Sequence, residues 1–336
     1  MGNYVNAGNA GFAAALKGTY VDKTELISFI NSTLGTKRKL TCVSRPRRFG
    51  KSYAAQMLCA YYDKSCDSGR LFADLEIAQK SSYKEHLNQH NVIYLDITWF
   101  ISIAGNIKDT VSNLQVKVVE ELRELYPDVK QEQTLPETLA KINEVTGKRF
   151  IIIIDEWDAL FREARNDHVL QEQYIQLLRS LFKSSGQTDK MIEAAYMTGI
   201  LPIKKYGTQS AMTDFEEYTM LAPEPLEKYM GFTENEVRKL CEGSKIGFSA
   251  IREWYDGYIL GENTHIYSPK SVMDALVRNR IGNYWTQSET YESLKIYIDL
   301  DEDGLKEAIV QMLGGDRIKI DTGTFQNDMT TIKRKD

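Results

Sequence analysis

Short, wholly apolar runs alternate with longer stretches of helical period along this chain, and the two patterns predict different elements. Phe150 to Ile154 are five consecutive apolar residues, a strand buried on both faces as in a parallel sheet. Asn91 to Thr98 (NVIYLDIT) has the β-branched and aromatic bias of another strand. Leu40, Cys42 and Val43 form a further short run, Ile192 to Ile200 (IEAAYMTGI) another, and Glu217 to Leu221 is the candidate for a fifth. Helical patterns lie between them: Tyr20–Leu34 with Leu26, Ile27 and Ile30 on one face, a run rich in Ala, Gln, Met and Leu after Ser52, then Lys108–Leu125, Pro136–Val145 and Tyr174–Phe182. This alternation predicts an α/β fold, a parallel sheet with helices on both faces.

The pattern changes after Leu221. Pro223 and Pro225 interrupt regular structure, and Thr233-Glu234-Asn235-Glu236 reads as a capping box. Short helices with aromatic residues are expected at Val237–Cys241, Phe248–Tyr255, Ser271–Val277, Tyr291–Ile298 and Leu305–Leu313, the last closed by Gly314-Gly315. The expected domains are 1–221, the α/β core, and 222–336, a mostly helical lid or accessory domain. Residues 1–18, rich in Gly, Ala and Asn, are expected to be loosely held.

The chemistry concentrates in Leu40 to Asp63, LTCVSRPRRFGKSYAAQMLCAYYD. An apolar run enters an Arg-rich turn that closes on Gly50-Lys51-Ser52 and opens a helix, the layout of a phosphate-binding loop. Lys51 would reach phosphate oxygens there, and the Ser52 hydroxyl would ligate Mg²⁺. The motif G-x-x-x-x-G-K-[ST] wants glycine at position 45, where this chain has Arg45 followed by Pro46. A non-glycine residue at positive φ costs about 1–2 kcal/mol, so the loop is expected to start along a different path. Read alone, Gly50-Lys51-Ser52 is equally a helix start with a solvated lysine.

The apolar run Phe150–Ile154 leads into Asp155-Glu156, and a carboxylate at the C-terminal end of such a strand sits where open α/β sheets bind ligands. Asp155 is placed to hold Mg²⁺ and Glu156 to orient or deprotonate an attacking water. Alone, the pair would merely end a strand and begin a helix. Together with Gly50-Lys51-Ser52 it points to a nucleotide site.

The blocks YVDKTELI (Tyr20–Ile27), SRPRRFGKS (Ser44–Ser52), IIIIDEWDAL (Ile151–Leu160), TGILPI (Thr198–Ile203) and WYDGY (Trp254–Tyr258) resemble the predicted AAA-ATPase-like family of bacteria. RPRRFGK is the most specific, and the resemblance runs from about Tyr20 to the C-terminus. It implies a P-loop NTPase (AAA-like) core that binds ATP with Mg²⁺ and hydrolyses it, and it makes an arginine at position 45 the family's habit. The nucleotide-binding set is then Arg45, Pro46, Arg47, Arg48, Phe49, Gly50, Lys51, Ser52 and Tyr53. Lys51, Asp155, Glu156 and Thr198 are expected to carry catalysis, and Ser52 and Asp155 to hold the metal; Thr198 would sense the γ-phosphate, with a threonine that merely ends its strand before a glycine turn as the competing reading. By the same resemblance Tyr20, Val21 and Asp22 are candidates to lie over the base, with a plain packing helix as the competing reading. Members often carry a C-terminal PD-(D/E)xK-type nuclease domain; no such pattern is found, and the chain is expected to stop before it. A nuclease partner in trans is the corresponding expectation, and an oligomer is compatible with the family.

Composition narrows the partners. A formal charge of −5 over 336 residues gives no sign of a generally basic nucleic-acid binder. Cys42, Cys59, Cys66 and Cys241 form no C-x-x-C pair and read as reduced thiols of a cytoplasmic protein. Neither a membrane-spanning run nor a signal peptide is found. His86 and His90 sit four apart without an evident third ligand, so a solvated helix face is the better reading. Asp96 is read as structural. A small-molecule kinase would use the same loop but does not require Glu156; a nucleotide-dependent switch or scaffold without turnover, or the regulatory half of a nuclease system, stays open.

Overall fold

A computed structural model of the chain describes residues 2–130, 132–183, 185–203, 214–284 and Gln311. By compactness the chain divides into one unit of Met1–Arg45 with Gly50–Met230 and a second of Pro46–Phe49 with Gly231–Asp336.

The first unit is built on five strands, β1 (Leu40–Ser44), β2 (Asn91–Asp96), β3 (Phe150–Asp155), β4 (Ile192–Gly199) and β5 (Glu216–Tyr218). They pair in the order β2-β3-β4-β1-β5, every pairing parallel. The run Phe150–Ile154 is wholly apolar because each face of β3 is covered. Phe150, Ile152 and Ile154 pack with Leu40 and Cys42 against the helices Thr110–Leu125, Leu135–Thr146 and His168–Phe182. Ile151 and Ile153 pack with Val43 against the helices Glu25–Thr33 and Lys51–Tyr62 on the other side. Each such side chain, removed from water, contributes roughly 1.5–3 kcal/mol, so this pair of layers is the main stabilising term in the unit.

The N-terminal residues, expected to be loosely held, are pinned instead. Val5 bridges Ile93, Tyr94 N–H donates to the Tyr4 carbonyl at 2.8 Å, and the Glu121 carboxylate accepts from the backbone N–H groups of Asn3, Tyr4 and Val5. The physical reason is the bare edge of β2, whose unpaired backbone groups this segment satisfies. Phe12, in the helix Ala10–Ala15, is fully buried. Within the segment Tyr20–Leu34 the helix spans Glu25–Thr33 with Thr24 at its cap position, one of the two caps, Asp22 or Thr24, that the sequence offers; Asp22 accepts from the Thr24 N–H and hydroxyl and from Glu76 N–H.

In the second unit the capping box forms as the sequence indicates, Thr233 and Glu236 exchanging bonds at the start of the helix Glu234–Cys241. The helices Phe248–Tyr255 and Pro269–Arg278 follow. The helical reading missed a three-stranded antiparallel sheet of β6 (Phe232–Thr233), β8 (Thr264–Tyr267) and β7 (Asp256–Leu260), whose β7–β8 hairpin lies between these two helices. Its hairpin turns at Gly261, where φ is +57°, a conformation that favours glycine. The expected helices Tyr291–Ile298 and Leu305–Leu313 fall outside the described residues, Gln311 excepted. Among the described residues no helix is long and apolar enough to cross a membrane.

Candidate functional site

β1 runs into the Arg-rich turn and Gly50 starts the helix Lys51–Tyr62. Gly50 adopts φ +90° and Arg48 φ +67°, so the loop's left-handed positions are these two and not Arg45. That explains why a bulky residue is tolerated at position 45. The Arg45 side chain is fully buried, and its Nη1 donates to the carbonyls of Ser44 and Tyr218, each at 2.9 Å. Burial lowers its pKa to about 10, leaving it charged at neutral pH. Arg45 therefore ties the end of β1 to the end of β5. In the second unit, the Phe49 carbonyl accepts from Gly231 N–H at 2.9 Å and the Phe49 ring meets Tyr258 edge-on at 5.4 Å. Tyr53 is largely exposed on the helix after the loop.

β4 lies between β1 and β3, which brings the ends of three strands together. Asp155 ends β3 and is 3 % exposed. Its Oδ1 accepts from the Thr198 hydroxyl at 2.5 Å and from Glu156 N–H at 3.1 Å. Burial pushes the Asp155 pKa up, while hydrogen bonds from the Ser52 and Thr198 hydroxyls pull it down. Glu156 takes φ +52°, left-handed for a residue with a Cβ, at a cost of about 1–2 kcal/mol. Bonds on either side hold it: Trp157 N–H to the Thr198 carbonyl and Ala159 N–H to the Glu156 carbonyl, both 2.8 Å.

Lys51 Nζ lies 3.5 Å from Glu156 Oε1, with 3 % of its side chain exposed. Burial lowers its pKa, and Glu156, Asp155 and Asp158 oppose that shift. Glu156 Oε2 meets Arg162 Nη2 at 2.5 Å. Arg162 Nε also sits 3.2 Å from Asp158 Oδ2, and buried Asp158 accepts from the N–H groups of Ile200 and Leu201 at 3.2 and 3.1 Å. Gly199 is needed here because a Cβ would come within 2.5 Å of Trp157 Nε1 and 2.9 Å of Asp158 Oδ1.

Of the residues singled out from sequence, Lys51, Ser52, Asp155, Glu156 and Thr198 meet at these strand ends. Asp96 instead caps the next helix by accepting from Trp99 N–H. Tyr20 packs edge-on against Phe12, and its hydroxyl reaches Met57 Sδ. His86 Nδ1 lies 3.2 Å from His90 Nε2, and His90 Nδ1 lies 3.0 Å from Glu193. Sequence reading missed Asp158 and Arg162, although their i,i+4 spacing just after Asp155-Glu156 is a helix ion-pair signal.

The model of the predicted AAA-ATPase family matches residues 14–208. The chain belongs to this family. The uncharacterized protein in the vnfD 5' region of Azotobacter chroococcum mcd 1 is 23 % identical over 282 residues, covering 81 % of this chain and 51 % of that protein. The chain thus spans about half the length of that relative. Among solved structures, a Walker-type ATPase of Pyrococcus abyssi is 14 % identical with a TM-score of 0.36, covering 86 % of this chain and 75 % of that one. PCH-2 of C. elegans is 11 % identical with a TM-score of 0.30, covering 69 % and 47 %. A structure describing katanin self-assembly is 12 % identical with a TM-score of 0.33, covering 85 % of each. Overlaps this loose say nothing about function. Membership of the family implies nucleotide binding.

Proposed function

We propose that this family member binds ATP with Mg²⁺ at the ends of β1, β3 and β4 and hydrolyses it. The observation that carries the reading is the convergence of Lys51, Ser52, Asp155, Glu156 and Thr198, which come from separate parts of the sequence. Lys51 would leave Glu156 for the phosphate oxygens, which offer it stronger charge-assisted bonds in the same low-dielectric setting. Gly50 and the N–H groups opening the helix Lys51–Tyr62 would take the remaining phosphate oxygens.

The residues present suit a magnesium ion. Ser52 and Asp155 are hard oxygen donors, and burial penalises the Asp155 charge, a penalty that a bound cation relieves. Mg²⁺ commonly takes one or two protein oxygens and completes its shell with water and phosphate, so this small donor set suffices. When bound, the ion would neutralise charge developing on the phosphates. Glu156 would accept the proton of the attacking water. Thr198, fixed against Asp155, would sense the terminal phosphate from the strand between β1 and β3.

A second reading is a switch that binds ATP without turnover. It is favoured by one observation: both Glu156 oxygens are engaged, one by Lys51 and one by Arg162. Nucleotide titration and steady-state turnover, with and without DNA, separate the two. The hydrolytic reading expects Glu156→Gln to keep ATP binding while turnover drops roughly 10²-fold or more. Wild-type protein that binds ATP but never turns it over leaves the switch. Absence of binding removes both readings.

A further inference from the structure

We infer that Arg162 is the positioning residue for Glu156, an inference that rests on the hydrolytic reading above. The two Glu156 oxygens have different neighbours: Oε1 faces Lys51 Nζ at 3.5 Å, and Oε2 is gripped by Arg162 Nη2 at 2.5 Å. When Lys51 turns to phosphate, only Oε1 loses its partner. The oxygen released is the one on the phosphate side, where an attacking water has to be met, while the other stays clamped. A general base held through its far oxygen by a third group is the arrangement nucleophile activation needs.

Arg162 can act as a clamp because it is itself held. It lies on the helix Ala159–Glu163, its side chain only 15 % exposed, with Nε beside Asp158. Asp158 is fully buried and accepts from Ile200 and Leu201 N–H, just beyond Thr198. The bracket Glu156–Arg162–Asp158 therefore joins the end of β3 to the segment leaving β4. The planar guanidinium is hydrogen-bonded to Glu156 through Nη2 and in ion-pair contact with Asp158 through Nε, two carboxylates that a single ammonium could not span as well. The left-handed backbone at Glu156 points to the same demand, since such a conformation persists only where its surroundings over-determine it.

The test compares wild type, Arg162→Ala, Arg162→Lys, Glu156→Gln and the Arg162→Ala/Glu156→Gln double variant. ATP affinity, kcat, KM and melting temperature are read for each. Arg162→Ala should lower kcat roughly ten- to a hundredfold with ATP affinity nearly unchanged, as expected when a reacting group is misplaced by about an ångström. Arg162→Lys should recover part of the loss, and the double variant should be no slower than Glu156→Gln alone. If Arg162→Ala fails to fold on losing the partner of Asp158, Arg162→Lys decides, with a several-fold fall in kcat expected at unchanged affinity. Unchanged kcat in the folded variants overturns the inference, as does a rise in kcat, which would make Arg162 a restraint on the base. An additive loss in the double variant also overturns it. Wild-type protein without turnover, or Glu156→Gln at the wild-type rate, removes the hydrolytic reading and the inference with it. Loss of turnover in Glu156→Gln with no effect at Arg162 removes the inference alone.

Discussion

Lys51 Nζ stands 3.5 Å from Glu156 Oε1 in a site where both side chains are largely withdrawn from water. The lysine is thus stored against the carboxylate with which it would work. Burial weakens its hold on the proton, and Glu156, Asp155 and Asp158 pull the other way.

Lys51→Ala removes charge-assisted contacts to phosphate that contribute about 1.5–3 kcal/mol each. ATP affinity should fall by at least about tenfold, measured by calorimetry on protein whose circular dichroism matches wild type. Equal titration curves for the two proteins would show that the loop does not bind phosphate through this lysine.

Arg45→Gly installs the residue that the ordinary motif carries, yet it should harm this chain. It strips the buried donor from the carbonyls of Ser44 and Tyr218 and leaves two strand ends untied. An unsatisfied buried group costs roughly 1–3 kcal/mol, and because Nε and Nη2 of Arg45 are themselves buried without a partner among the described residues, urea unfolding should report a net loss within about 1–3 kcal/mol. Unaltered or higher stability would mean that the guanidinium does not hold β1 to β5.

His86 supplies a pH dependence away from the site. Burial, and then His90, hold its pKa below the ordinary imidazole value of about 6.5, against the opposing pull of Glu85 and Glu193. The folded state therefore resists a proton that the unfolded chain accepts. The associated stability is present above pH ~6.5 and is lost as pH falls through the lowered folded value. Melting temperature should drop between about pH 7 and pH 5, and His86→Gln should flatten that drop. Parallel curves for the two proteins would assign the slope to groups other than His86.

The apolar run Phe150–Ile154 determined a doubly covered strand, because five successive apolar side chains leave no face for water. Gly50-Lys51-Ser52 determined a left-handed turn opening a helix, since glycine reaches φ +90° without a Cβ clash. Thr233 and Glu236 likewise determined a helix start, as their bonds close within three residues. These features were legible because their physics is local. Strand order was not: nothing in IEAAYMTGI says that β4 inserts between β1 and β3, yet that insertion sets Thr198 against Asp155. The hold of Val5 on the edge of β2, the fate of the Arg45 side chain and the grip of Arg162 on Glu156 were equally hidden. Each depends on which distant backbone edge or buried charge lacks a partner, and only the folded chain brings that unmet group within reach.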